Sequence, residues 1–219
     1  STLMRSSAAS DVYKRQLALS DIPVVTIDYI FNDRLAVVSD NAKGMEDLFT
    51  YIYQMGHRRI AYIHGTDSAV TTNRLSSFYR TAEKFGVEIP DEYVMMTRYR
   101  DTKGAGEATE KLLDLRRPPT CILYPDDFAA LGGIHVIRER GMSIPEDISI
   151  AGYDGIRLAK LTVPNLTTLC QDTQHLGQYA AEKLIDLIEK PKTAMRNITI
   201  VQGKLYEGQT VLKLDGSRG

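Results

Sequence analysis

The chain has 219 residues, 43% hydrophobic and 25% charged, a composition that excludes wholesale disorder and leaves room for one large or two small domains. Its 27 basic and 28 acidic residues leave a formal charge of -1, which excludes a broad nucleic-acid face or a polybasic membrane patch within these residues. No apolar run approaches the roughly 18 residues a membrane span needs, and Cys121 and Cys170, each among apolar neighbours, read as free thiols of a reducing compartment rather than as a disulfide or metal site.

The first sixteen residues, "STLMRSSAASDVYKRQ", carry neither helical nor strand period and no signal-peptide succession, and are set aside as a non-native segment. From Leu17 onward short apolar runs alternate with amphipathic stretches, the pattern of βαβ units around mainly parallel sheets. "IPVVTIDY" (22–29) reads as a strand covered on both faces, and "AVVSDN" (36–41) as a shorter one after which Asp40 or Asn41 caps a helix. Met45, Leu48, Phe49, Ile52 and Met55 form that helix's inward face, and Gly56 ends it. His57, Arg58 and Arg59 read as a basic turn complementing the helix's carboxyl end before the strand "IAYIHG". A polar loop (66–73) and a helix from Arg74 to about Phe85 follow.

Tyr93 to Thr97 reads as the next strand. Gly104 and Gly106, which follow it, match a dinucleotide fingerprint poorly, since Thr109 replaces the third glycine and no tight turn precedes the pair. "TCILYPDD" (120–127) leads into a helix whose internal Gly132 and Gly133 imply close packing. "ISIAGYDG" follows, then "NLTTLCQD" (165–172), a long helix begun by Asp172 or Thr173, and two short strands between Ile198 and Leu214.

In parallel α/β sheets the loops beyond the strands' carboxyl ends converge, and chemistry gathers there. Those ends carry Asp28 and Tyr29, Asp40 and Asn41, the loop before Arg74, Tyr99 and Asp101, Asp126 and Asp127, Tyr153 and Asp154, and Gln171 and Asp172. Carboxylates, amides, one guanidinium and an aromatic suit a polyhydroxylated ligand, whose hydroxyls donate to carboxylates and accept from arginine. Taken singly, each aspartate also reads as a helix cap and Arg74 as half of a surface ion pair. Asp126 and Asp127 are adjacent and point apart, so one caps the helix while the other faces the crevice. No nucleophile elbow and no His/Cys metal cluster appears, and the expectation is a non-enzyme with no metal and no cofactor.

The landmarks "SDNAKG", "MGHRRIAYIHG", "NRLSSF", "YPDDFAALGG", "RERGMSIPEDISIAGYDG" and "PNLTTLCQD" stand in the order of a known family. From about Ile22 to Leu214 the chain resembles the effector-binding module of the lactose-repressor family of bacterial transcription regulators. The resemblance implies an α/β fold of two similar parallel-sheet subdomains of the type I periplasmic-binding-protein kind, with a ligand cleft between them and the first strand-helix units missing. Subdomains are expected at 17–73 with 173–197, and at 74–172 with 198–219. Carried over by position, Arg74, Asp126 and Asp154 would hold ligand hydroxyls, Tyr99 would stack on the ligand, and Asn41 and Gln171 are weaker contacts. Asp126 stands where the family has asparagine, and Ser77 where it has glycine. The implied partners are a sugar or nucleobase effector, operator DNA through a helix-turn-helix head outside this chain, and a second copy in a homodimer. No membrane partner is expected, and the location is cytoplasmic. The competing readings are a sugar-binding component of a transporter and an enzyme on a flavodoxin-like fold. Expressed alone, the fragment should expose a raw sheet edge and aggregate.

Overall fold

The computed structural model describes residues 22–30, 35–191 and 197–215. These residues divide into two compact units, the first formed by those up to Ser39 and from Asp172 to Val201, the second by those from Asp40 to Gln171 and from Gln202 onward. The segment 1–16 lies outside the described residues. The sequence-based boundary after Asn73 differs from this division because β3 (Ile60–His64) pairs with β4 (Val94–Met96) and β5 (Cys121–Leu123), which takes residues 40–73 into the second unit.

In the first unit, β1 (Val25–Ile27), β2 (Leu35–Ser39) and β8 (Ile198–Val201) form a parallel sheet in the order β1-β2-β8. Helix α5 (Thr173–Glu189), capped by the Asp172 side chain on the His175 amide, packs Leu176 and Ala180 against Val37 and Val201. The stretch 22–29 was expected to be covered on both faces. Instead β1 is a three-residue edge strand among the described residues, with Ile27 51% exposed.

The second unit holds six strands in the order β4-β3-β5-β6-β7-β9, with β6 at Ser149–Asp154, β7 at Thr167–Cys170 and β9 at Lys204–Tyr206. All neighbours are parallel except β7 and β9, so the strands from β3 to β7 deliver their carboxyl ends to one edge. Helices α1 (Asn41–Gln54) and α2 (Ala69–Lys84) cover one face, where Met45, Leu48, Phe49 and Phe78 meet Ile60, Tyr62, Leu123 and Tyr153. Helices α3 (Thr102–Leu113) and α4 (Asp127–Glu139) cover the other, with Ala105, Leu112, Ile134 and Ile137 against Ala61, Ile63, Ile122 and Ile150. The period-two alternation of β3 decides which side chains meet which helix pair.

Four details bear on the sequence reading. Helix α2 begins at Ala69 rather than Arg74, because Ser68 accepts the Thr71 amide at 3.1 Å and starts the helix one turn earlier. Arg74 therefore points from the helix's second turn. His57 does not act as a basic residue of the turn after α1. It is 1% exposed, with Nε2 3.0 Å from the Leu212 carbonyl and Nδ1 2.9 Å from the Thr120 hydroxyl, and burial pushes its pKa down to about 4. Arg58 does serve the helix end, donating to the Tyr53 carbonyl at 2.8 Å. Gly132 and Gly133 permit close packing as expected: a side chain at 132 would collide with the Thr102 carbonyl of α3, and one at 133 with the Tyr124 hydroxyl.

Candidate ligand-binding site

Every candidate residue lies in the second unit; Asn41 opens α1, and the others stand at the carboxyl ends of that unit's strands or on the segments that follow them. Arg74 is at the centre and is 2% exposed. Its Nε donates to Asn41 Oδ1 at 2.8 Å and its Nη1 to the Pro125 carbonyl at 2.9 Å, while the guanidinium lies 3.5 Å from the centroid of the Tyr153 ring. A buried guanidinium needs this much company, because stripping its hydration without replacing the hydrogen bonds costs several kcal/mol. Nη2 approaches Asp154 Oδ1 to 3.9 Å, beyond hydrogen-bonding reach. Asn41 thus braces the arginine, and Asp40, whose side chain accepts the Lys43 amide at 3.0 Å, caps α1.

Asp154 ends β6 in a left-handed conformation (φ 106°) that L-residues rarely adopt, and Gly155 follows at φ 72°. Gln171 Nε2 donates to Asp154 Oδ1 at 2.5 Å, and the Gln171 amide donates to the Asp154 carbonyl at 3.1 Å. The Asp154 side chain keeps 29% of its surface. Burial pushes its pKa up from the usual carboxylate value, and Arg74 and Gln171 pull it back in part. The Tyr153 hydroxyl packs against Gly44 of α1, where any side chain would collide with it.

Asp126, expected to reach the ligand, caps α4. Its Oδ1 accepts the Ala129 amide at 2.8 Å and its Oδ2 the Arg100 amide at 2.7 Å, and it is 1% exposed. An acceptor-only carboxylate suits two backbone donors, which explains a cap role at this position. Asp127 is equally hidden, and its partners are Ile156 and Thr168. Tyr99 is half-buried, with its ring packed on Gly65 and its hydroxyl 2.9 Å from Thr71 Oγ1.

Asn41, Arg74, Asp154 and Gln171 therefore form one connected set, whereas Asp126 and Tyr99 are engaged by other partners. Two residues escaped the sequence reading. The Pro125 carbonyl binds Arg74, for which sequence carries no signal. The Tyr62 hydroxyl is buried with no hydrogen-bond partner among the described residues, and the groups acting on it electrostatically are Arg74, Tyr99 and Tyr153. Its position in "IAYIHG", on the same side as Ile60 and His64, was the available clue. Among the described residues no group of three or more His, Cys, Asp or Glu side chains could hold a metal, and no helix is long and apolar enough to cross a membrane.

Residues 49–211 match the profile of the periplasmic binding protein-like domain. The chain belongs to that family. Its resemblance to the effector domains of lactose-repressor regulators holds across the relatives as well. The chain is 31% identical over 151 residues to the HTH-type transcriptional repressor CytR of Escherichia coli, covering 68% of this chain and 44% of that protein. It is 29% identical over 188 residues to the ribose operon repressor of Haemophilus influenzae, covering 84% and 56%. It thus spans about half the length of the curated relatives it matches. A LacI-family transcriptional regulator from Enterococcus faecium with bound ribose superposes with a TM-score of 0.79 at 25% identity, covering 88% of this chain and 71% of that one. This family's α/β architecture, dominated by parallel sheets, agrees with the strand order described above.

Proposed function

We propose that this chain is the effector-sensing module of a bacterial transcriptional repressor, and that Arg74, Asp154 and Gln171 hold the hydroxyls of a neutral, sugar-like ligand. The observation that carries this is the 3.9 Å approach of Arg74 Nη2 to Asp154 Oδ1. It leaves a guanidinium and a carboxylate aimed at one another without a hydrogen bond, and a ligand hydroxyl can accept from the first and donate to the second. Asn41 fixes the arginine and Gln171 fixes the carboxylate, so both are set before the ligand arrives.

Charge favours a neutral ligand over a sugar acid. Arg74 already faces Asp154, and of the other charges acting on Asp154, Asp126 is opposed by Arg100. An anionic ligand would face Asp154 with no cation left over, among the described residues, to balance it. Tyr99 would contribute an apolar ring face for stacking.

Regulation follows from linkage. An effector that favours one arrangement of the two units shifts the DNA-binding equilibrium by no more than its differential affinity for the arrangements. Operator contact belongs to a helix-turn-helix head outside these residues, in a cytoplasmic homodimer with no catalytic activity. The names of the relatives, repressors rather than transport components, support this reading.

The test is a thermal-shift screen on the intact protein with neutral sugars, polyols, nucleobases and uronic acids. A ligand at a hundred times its Kd stabilises by about 2.7 kcal/mol. Neutral sugars or polyols should dominate the hits, and Arg74→Ala and Asp154→Ala should each abolish the response. Hits that are equally strong in both variants would refute the site, and hits confined to uronic acids would refute the charge argument.

A further inference from the structure

We infer that Asp127 is a positioning residue, a buried latch that holds the left-handed turn on which Asp154 is presented. The turn is costly to hold: Asp154 at φ 106° and Gly155 at φ 72° are consecutive left-handed residues, and the first has a side chain. Something must over-determine it. Asp127, first residue of α4 and 0% exposed, reaches across from another element to do so. Its Oδ2 accepts the Ile156 amide at 2.8 Å, and its Oδ1 accepts the Thr168 hydroxyl at 2.6 Å. Thr168 Oγ1 in turn lies 3.3 Å from the Gly155 amide, so the carboxyl governs both amides that follow Asp154. Gly152 completes the arrangement, since a side chain there would collide with Asp127 Oδ1.

Asp126 and Asp127 thus divide the labour of an adjacent pair. The first caps α4 and ties it to Arg100, and the second ties α4 to the turn. The latch also acts when neutral, because an asparagine could donate to Thr168 Oγ1 while accepting from Ile156.

The latch acquires its functional meaning from the reading of Asp154 as a ligand contact, but its test does not depend on a ligand. Amide hydrogen exchange of the intact protein, followed at Ile156 and Gly155, is compared with amides in β3 as the control. In Asp127→Ala the Ile156 amide should exchange at least tenfold faster while β3 is unchanged, and Asp127→Asn should restore most of the protection. If Asp127→Ala does not fold, Thr168→Val and Gly152→Ala disturb the latch with Asp127 in place. Each should accelerate Ile156 or Gly155 at least threefold against β3. Ile156 and Gly155 as well protected in these variants as in the wild type would overturn the latch and leave the site standing. A thermal response to sugars that survives in Asp154→Ala would sink the site and leave the latch standing.

Discussion

Removing the ring of His57 should expose a pH dependence that the wild-type protein hides. The ring is buried and neutral, donating from Nε2 to the Leu212 carbonyl and accepting at Nδ1 from Thr120, and burial pushes its pKa down to about 4. In the unfolded chain histidine titrates near 6.5, so between those values the unfolded state binds a proton that the folded state refuses. Acid therefore favours unfolding, and the His57 contribution is complete above about pH 6.5 and lost as pH falls toward 4. Asp127 acts in the opposite sense. Burial pushes its carboxyl up to about 7, so from about pH 4 to 7 the folded state holds a proton that the unfolded state has released, and stability falls as pH rises. Between pH 7 and 5 linkage gives about 2 kcal/mol for each group, with opposite signs. Gln at 57 keeps a donor for Leu212 and removes the titration. The stability gap between wild type and His57→Gln, from urea unfolding of the intact protein, should widen by about 2 kcal/mol from pH 5 to pH 7. With a typical urea slope that is a relative midpoint change of about 1 M. Asp127→Asn should show the mirror image, gaining on the wild type as pH rises. A gap for His57→Gln that stays constant from pH 5 to 7 refutes the reasoning.

Variants at four other positions probe the backbone and the site. Asp154→Gly should be about 1 kcal/mol more stable than Asp154→Ala in urea, because only glycine adopts φ 106° without strain; equal stabilities would contradict the strain. Gly132→Ala should lower stability by at least about 1 kcal/mol, since collision with the Thr102 carbonyl outweighs the roughly 1 kcal/mol gain in helix propensity. Gly177→Ala on α5, where an added carbon meets nothing, should show that gain alone, and calorimetry of the two should give opposite shifts. Tyr62→Phe should raise stability by about 1 kcal/mol by removing a buried hydroxyl with no partner among the described residues. A drop in Tm would instead mean that the hydroxyl is satisfied in solution.

Much of the fold is legible along the chain because its signals are local. The helix of Met45, Leu48, Phe49 and Ile52 needs only its own spacing, and Asp40 and Asp172 announce their helices as caps. The start of α2 was also written locally, in Ser68, but the polar loop composition outweighed it. The extent of β1 was not legible: whether an apolar strand is covered on one face or two depends on which strands flank it. Likewise nothing near residue 60 says that β3 lies between β4 and β5.

By itself, then, the sequence determined the α/β rhythm, the family and a set of six candidates, Asn41, Arg74, Tyr99, Asp126, Asp154 and Gln171, of which the structure joins four. Their types and their places at strand ends are local facts. The tertiary structure alone decided what each one does. Asp126 and Asp127 are neighbours of identical chemistry, yet one caps a helix and the other holds a turn some thirty residues further along the chain. His57 is a neutral buried residue rather than a surface cation only because Thr120 and Leu212, from remote parts of the chain, close around it. Burial and hydrogen-bond partnership are properties of where segments meet, and no window of sequence contains them.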